Sequence, residues 1–166
     1  NMKLEVLEKE CYYHIYNRGV NGCIIFENDE NKNFFLRQLS KYLLDNVAIV
    51  AYCLMDNHFH LIWRIKQGYK RADIQRDFLH YTAKEILRNL RAKNAVLLEK
   101  IEVNLKDRKY QVWQRNSLSI ELRSESVYNQ KLDYIHNNPV KAGLCSLAED
   151  YKYSSAKYYI LNEKNW

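Results

Sequence analysis

Apolar and polar residues follow two rhythms along this chain, and their order predicts an architecture. "CYYHIYNRG", residues 11–19, is rich in aromatic and β-branched residues and ends at glycine, which predicts a first strand over about 11–18. An acidic, Asn-rich stretch then leads into Phe35, Leu39, Tyr42 and Leu43 at helical spacing, a first helix. Two nearly continuous apolar runs follow, "VAIVAYCLM" and "HFHLIWRI", separated by Asp56-Asn57. Asp and Asn tolerate the left-handed backbone of a tight turn, so the two runs should pair as an antiparallel hairpin. From 71 to 92, Ile74, Phe78, Leu79, Ala83, Ile86, Leu87 and Leu90 recur every three or four positions, as in a long amphipathic helix. "YQVWQRNSLSIEL" predicts a fourth strand. "SESVYNQKLDYIHNNP" predicts a third helix over about 125–138, opened by a serine cap and stopped at Pro139.

Strand, helix, hairpin, helix, strand, helix is the order of an α+β fold. It matches a ferredoxin-like or RRM-like antiparallel sheet in split β-α-β order, with the last helix added. With 166 residues, one proline and four glycines, no linker or repeat divides the sequence, and a single domain over 1–166 is expected. Hydrophobic residues make up 47% and charged residues 28%, as in globular proteins, and no apolar run approaches the ~18 to 20 residues of a membrane span. No basic head precedes an apolar stretch at the N-terminus, so a cytoplasmic location is expected, and Asn1 ahead of Met2 reads as the remnant of a cleaved tag. Cys11, Cys23, Cys53 and Cys145 form no C-x-x-C pair, which suggests neither a zinc knuckle nor a disulfide framework.

The net charge is +6, but it is uneven. Residues 64–115 hold fourteen Lys or Arg against six Asp or Glu. Such a stripe suits a polyanion, because each phosphate neutralised releases condensed counterions. A solvated helix face would give the same count.

Candidate chemistry begins in "CLMDNHFHLIW". Residues two apart in a strand face the same side, so His58, His60, Ile62 and Arg64 share one face, and the apolar Phe59, Leu61, Trp63 and Ile65 share the other. The two imidazoles would stand roughly 6 to 7 Å apart at Cα, close enough to bridge one metal ion. An H-x-H pair alone is also compatible with histidines satisfied within a sheet. On the third helix Tyr128, Leu132 and Ile135 form the apolar stripe. Tyr134 lies off it, with Gln130 and Asn138 each one turn away. A tyrosine there fits an amphipathic surface position, and equally a tyrosine and an amide at i and i+4 that meet one ligand. His136 reads as a surface or packing histidine.

"NHFHLIW" and "LDYIHNNPVKAGL", together with "YHIYNRG", "VWQR" and "DYKYSSAKYY", resemble in order the single-tyrosine transposases of the HUH class, of the REP-associated tyrosine transposase type. The resemblance implies a DNA transposase that cleaves and rejoins single-stranded DNA through a covalent 5′-phosphotyrosine intermediate. It assigns Tyr134 as the nucleophile, and His58, His60 and Asn138 as ligands of Mg²⁺ or Mn²⁺. The implied partner is single-stranded DNA beside a hairpin, with a homodimer as one arrangement in this class. Arg18, Lys70, Arg71, Trp113 and Arg115 are candidate DNA contacts, since aromatic side chains and a basic groove suit unstacked bases. The alternative is a non-catalytic single-stranded nucleic-acid-binding module on an RRM-like sheet. Against it stand the missing RNP1 pattern and the presence of His58, His60 and Tyr134.

Overall fold

The computed structural model describes residues 11–42 and 46–163. Strand β1 spans Cys11–Arg18, and helix α1 spans Asp29–Tyr42. The expected continuation of α1 through Leu43 lies outside the described residues. The hairpin pairs β2, Val47–Leu54, with β3, His58–Ile65. Helix α2 spans Arg71–Lys93 and the short α3 spans Ala95–Lys100. A small hairpin follows, β4 over Glu102–Leu105 and β5 over Arg108–Tyr110, before β6, Leu118–Glu121. Helix α4 spans Glu125–Lys141, and α5 spans Ala156–Leu161.

The main sheet has the order β2-β3-β1-β6 with every pair antiparallel, which is the expected ferredoxin-like arrangement. Its two faces are buried differently. Phe59, Leu61, Trp63 and Ile65 of β3 join Ile15 of β1 in a core that contains Phe35 and Leu39 of α1 and Ile74, Phe78, Ile86 and Leu90 of α2. Ile62, on the opposite face, joins Ala51, Cys53 and Met55 under Leu132 and Ile135 of α4. Helix α4 therefore covers the side of the sheet that carries His58 and His60.

Two expected boundaries change. The predicted fourth strand is broken: Tyr110 closes the small hairpin, Trp113 makes an isolated bridge to Gly19, and only β6 joins the main sheet. Asn116 adopts φ +63°, a left-handed conformation that interrupts the extended run. Helix α4 does not stop at Pro139 but continues to Lys141. Proline lacks the N–H that would bond the Ile135 carbonyl, but its φ is fixed near the helical value and the Ala142 N–H beyond it still donates to the Asn138 carbonyl at 3.0 Å, so the helix is not broken there. The helix ends instead at Gly143, φ +75°, with the Leu144 N–H donating to the Pro139 carbonyl at 3.0 Å.

The turn before His58 is tied down from several directions. The Met55 N–H donates to the His58 carbonyl at 2.9 Å, and the Gly19 N–H to the Asn57 carbonyl at 2.9 Å. Lys32 of α1, only 6% exposed, donates to the Phe26 carbonyl at 2.7 Å and pairs with Asp56 at 2.7 Å. A Cβ on Gly19 would lie 2.5 Å from the Cys23 carbonyl oxygen, so the close passage beside this turn requires glycine.

Candidate active site

The register of β1 against β3 sets the floor of the site. Arg18 stands opposite His58, Tyr16 opposite His60 and His14 opposite Ile62, all on the α4 side of the sheet. Helix α4 crosses above them. Its buried stripe of Leu132, Ile135, His136 and Pro139 leaves Tyr134 on the flank, 46% exposed. The Tyr134 ring lies 5.6 Å from that of His60 and 6.2 Å from that of His14, edge-on to both. The rings of His58 and His60 are 5.2 Å apart. Asn138, one turn beyond Tyr134, donates its Nδ2 to His60 Nε2 at 3.2 Å. Tyr134, Asn138, His58 and His60, expected to act together, thus converge within one chain.

Burial holds these imidazoles neutral. His60, 2% exposed, has its pKa pushed down to about 2, first by desolvation and then by His14, His58 and Lys131. His58 is also lowered by burial, against the opposing pull of its hydrogen bond with Asn138 and of Asp56. Neutral imidazole is the form that binds metals. His58 Nδ1 lies 2.7 Å from Asn57 Oδ1, so the Nδ1–H tautomer donates there and leaves Nε2 unprotonated. The donation from Asn138 likewise makes His60 Nε2 an acceptor.

Among the described residues no group of three or more His, Cys, Asp or Glu is arranged to hold a metal ion. Any cation here would depend on two imidazoles and the side-chain amide. Two neutral nitrogens and an amide oxygen form an incomplete ligand set, which suits a divalent ion completed by water and phosphate oxygens. The donor chemistry fits an open site.

The proposed DNA contacts separate. Arg18 faces the site, and Arg115 is joined to it through the Gln114 N–H, which donates to the Arg18 carbonyl at 2.8 Å. Lys70 and Arg71 lie beyond the far end of β3, roughly 20 Å of strand from His58, with the Arg71 guanidinium over Tyr13 at 5.8 Å. Trp113 is a core residue. It is 7% exposed, ringed by Phe26, Phe35 and Phe59, and its Nε1 donates to Thr82 at 3.1 Å, so no ring face is free for a base. His136 resolves as a packing residue, 4% exposed and 2.8 Å from Ser155 Oγ.

Three participants lie outside the expected set. His14 Nε2 sits 3.0 Å from His60 Nδ1. The ammonium groups of Lys131 and Lys141 stand 5.6 and 5.7 Å from the Tyr134 ring centre. Much of the middle-third charge is remote by contrast: Lys84, Arg91 and Arg108 line a groove of about 450 Å³ on the α2 side of the molecule. A helical wheel puts Lys131 and Lys141 beside Tyr134, and alternation puts His14 on the face of Tyr16 and Arg18. Those were the signals available in the sequence.

Comparisons with known proteins agree with the motifs. No protein-family model matches the chain. A Haemophilus influenzae protein named "Putative REP-associated tyrosine transposase" is 26% identical over 130 residues, covering 76% of this chain and 67% of its own. A REP-associated tyrosine transposase solved bound to a REP hairpin superposes with a TM-score of 0.63 at 18% identity, over 92% of this chain and 79% of that one. A Deinococcus radiodurans "putative transposase" gives 0.51 at 16% identity, over 77% and 90%. In sequence the chain is similar to a protein named as a REP-associated tyrosine transposase, and in fold it is similar to a solved one.

Proposed function

We propose that this protein cleaves and rejoins single-stranded DNA beside a hairpin, with Tyr134 as the nucleophile and Mg²⁺ or Mn²⁺ held by His58, His60 and Asn138. The observation that carries the proposal is the meeting of an exposed tyrosine with two neutral imidazoles and an amide, supplied by β3 and α4 of one chain. The solved relative bound to a REP hairpin supports a hairpin-bearing DNA as the partner.

In the proposed reaction the Tyr134 phenol gives up its proton to solvent as its oxygen attacks the scissile phosphorus. The bond to the 3′ oxygen breaks, and that oxygen takes up a proton and leaves as a 3′-hydroxyl. The downstream 5′-phosphate is then an aryl ester of Tyr134. Such an ester keeps much of the free energy of the broken bond, so a later 3′-hydroxyl can attack it, release the phenol and rejoin DNA. A divalent cation, when bound, would polarise the phosphate and offset charge built up in the transition state. Lys131 and Lys141 would attract the phosphate backbone toward the tyrosine.

A single-stranded oligonucleotide carrying a hairpin, labelled at either end and incubated with Mn²⁺, tests this. The upstream product should carry a free 3′-hydroxyl while the downstream product stays on the protein. His58→Ala/His60→Ala protein should do neither; undiminished cleavage by that variant would remove the proposal.

The alternative, a non-catalytic nucleic-acid module, fits the structure less well. RRM-like proteins stack bases on an open sheet face, whereas here α4 covers that face and buries Ile62 beneath Leu132 and Ile135.

A further inference from the structure

His14 is 2% exposed, yet its Nδ1 is buried with no hydrogen-bond partner among the described residues. A leucine or phenylalanine would fill the same space without that orphaned atom, so local packing gives no reason for an imidazole. Among the described residues, the hydrogen bond that the imidazole does have runs to His60. Its Nε2 lies 3.0 Å from His60 Nδ1, with the two rings stacked at 5.2 Å and 20°. Strand register makes this possible, because His14 is the diagonal neighbour of His60 across β1 and β3.

The chemistry of His60 explains the arrangement. An imidazole that offers its Nε2 lone pair must carry its proton on Nδ1. At 2% exposure that N–H has no ready access to water, and leaving it unpaired carries the full desolvation cost of a buried donor. We infer that His14 is a positioning residue for the cation site: its Nε2 accepts the Nδ1–H of His60 and holds that ring with Nε2 turned toward Asn138. His14 then carries its own proton on the orphaned Nδ1, a local cost offset by the order imposed on His60. Asn57 serves His58 in the same way, so each of the two proposed histidine ligands has its own acceptor behind it. The inference rests on His58, His60 and Asn138 being the ligands.

Mn²⁺ titrated into the DNA-free protein, with the free ion followed by electron paramagnetic resonance, tests it without any turnover. His14→Phe keeps the bulk and removes the acceptor, and should weaken Mn²⁺ binding by about 10- to 100-fold, the usual cost of losing such a partner. His14→Gln, whose carbonyl can accept, should bind within a few-fold of wild type. A His14→Phe protein that folds and binds Mn²⁺ as tightly as wild type overturns the positioning role and leaves the ligand assignment standing. Wild-type protein that holds no Mn²⁺ overturns the ligand assignment and the inference with it. Should His14→Phe fail to fold, nitrogen-15 spectra of the metal-free wild type decide. A scalar coupling across the His60 Nδ1–H···Nε2 His14 bond is the expected result, and a His60 Nδ1 without a proton is the contrary one.

Discussion

At the scale of single residues, burial divides the two tyrosines and the histidine of α4 into separate roles. Tyr128 and Tyr134 are both phenols on one helix. Tyr128 packs against Tyr12 at 5.8 Å, and its pKa is raised first by burial and then by its hydrogen bond with Tyr159. Tyr128→Phe should therefore leave DNA cleavage unchanged in a gel assay. His136 is buried against Ser155, and desolvation pushes its pKa down to about 4 from an unfolded value of 6.5. As pH falls below 6.5 the unfolded chain takes up the proton first. The stability associated with a neutral His136 is thus full above that pH and drains away toward pH 4, by about 1.4 kcal/mol per unit. Urea midpoints measured across this window should fall less steeply for His136→Gln than for wild type; parallel curves would mean that His136 titrates normally in the native state. The residue chemistry was partly legible beforehand. H-x-H in an alternating strand and a tyrosine off its helix stripe are local patterns. The partnership of His14 with His60 depends on which strand neighbours β1 and in what register, and neither is written in the residues around position 14.

At the scale of elements, the C-terminal segment acts as a clasp on β2 and α4. The Leu54 N–H donates to the Tyr153 carbonyl at 2.8 Å, and the Tyr52 N–H to Ser155 Oγ at 2.9 Å. Tyr151 and Tyr159 donate their hydroxyls to the Leu54 and Val50 carbonyls. Ser155 is fully buried and also meets His136, so one hydroxyl joins the edge strand to the helix that carries Tyr134. Ser155→Ala strips partners from two buried groups and should destabilise the fold by about 1 to 3 kcal/mol, read as a lower urea midpoint. A change within a few tenths would show that the clasp contributes little. "DYKYSSAKYY" stood out in the sequence as a motif without an element, because its bonds run to a strand a hundred residues away. The bounds of β1 and β3 were legible, since alternation and turn residues are local. The end of α4 was not: Pro139 reads as a stop, yet its φ suits a helix and the residues beyond it go on donating, so the helix runs on until Gly143 closes it.

At the scale of the whole molecule, the charge near Tyr134 is not the charge that dominates the count. Lys131 and Lys141 flank the tyrosine, while the groove lined by Lys84, Arg91 and Arg108 lies on the other side of the sheet. Counting charge in blocks found the second and missed the first, because a helix sorts its cations by face. Lys131→Gln/Lys141→Gln should reduce the salt dependence of single-strand binding, and an unchanged slope of log affinity against log salt would place the phosphate contacts elsewhere. Histidines and tyrosine also meet within one chain. A mixture of Tyr134→Phe protein with His58→Ala/His60→Ala protein should therefore stay inactive, whereas restored cleavage would require exchange of α4 between subunits. Tyr134 is the residue expected to form the bond to DNA. Active wild-type protein should be incubated with hairpin-bearing single-stranded DNA and Mn²⁺, denatured and digested, and the nucleotide-bearing peptide sequenced by mass spectrometry. A 5′-phosphate on Tyr134 and no adduct from Tyr134→Phe are expected; an adduct on another residue, or cleavage with no adduct at all, would overturn the role of Tyr134.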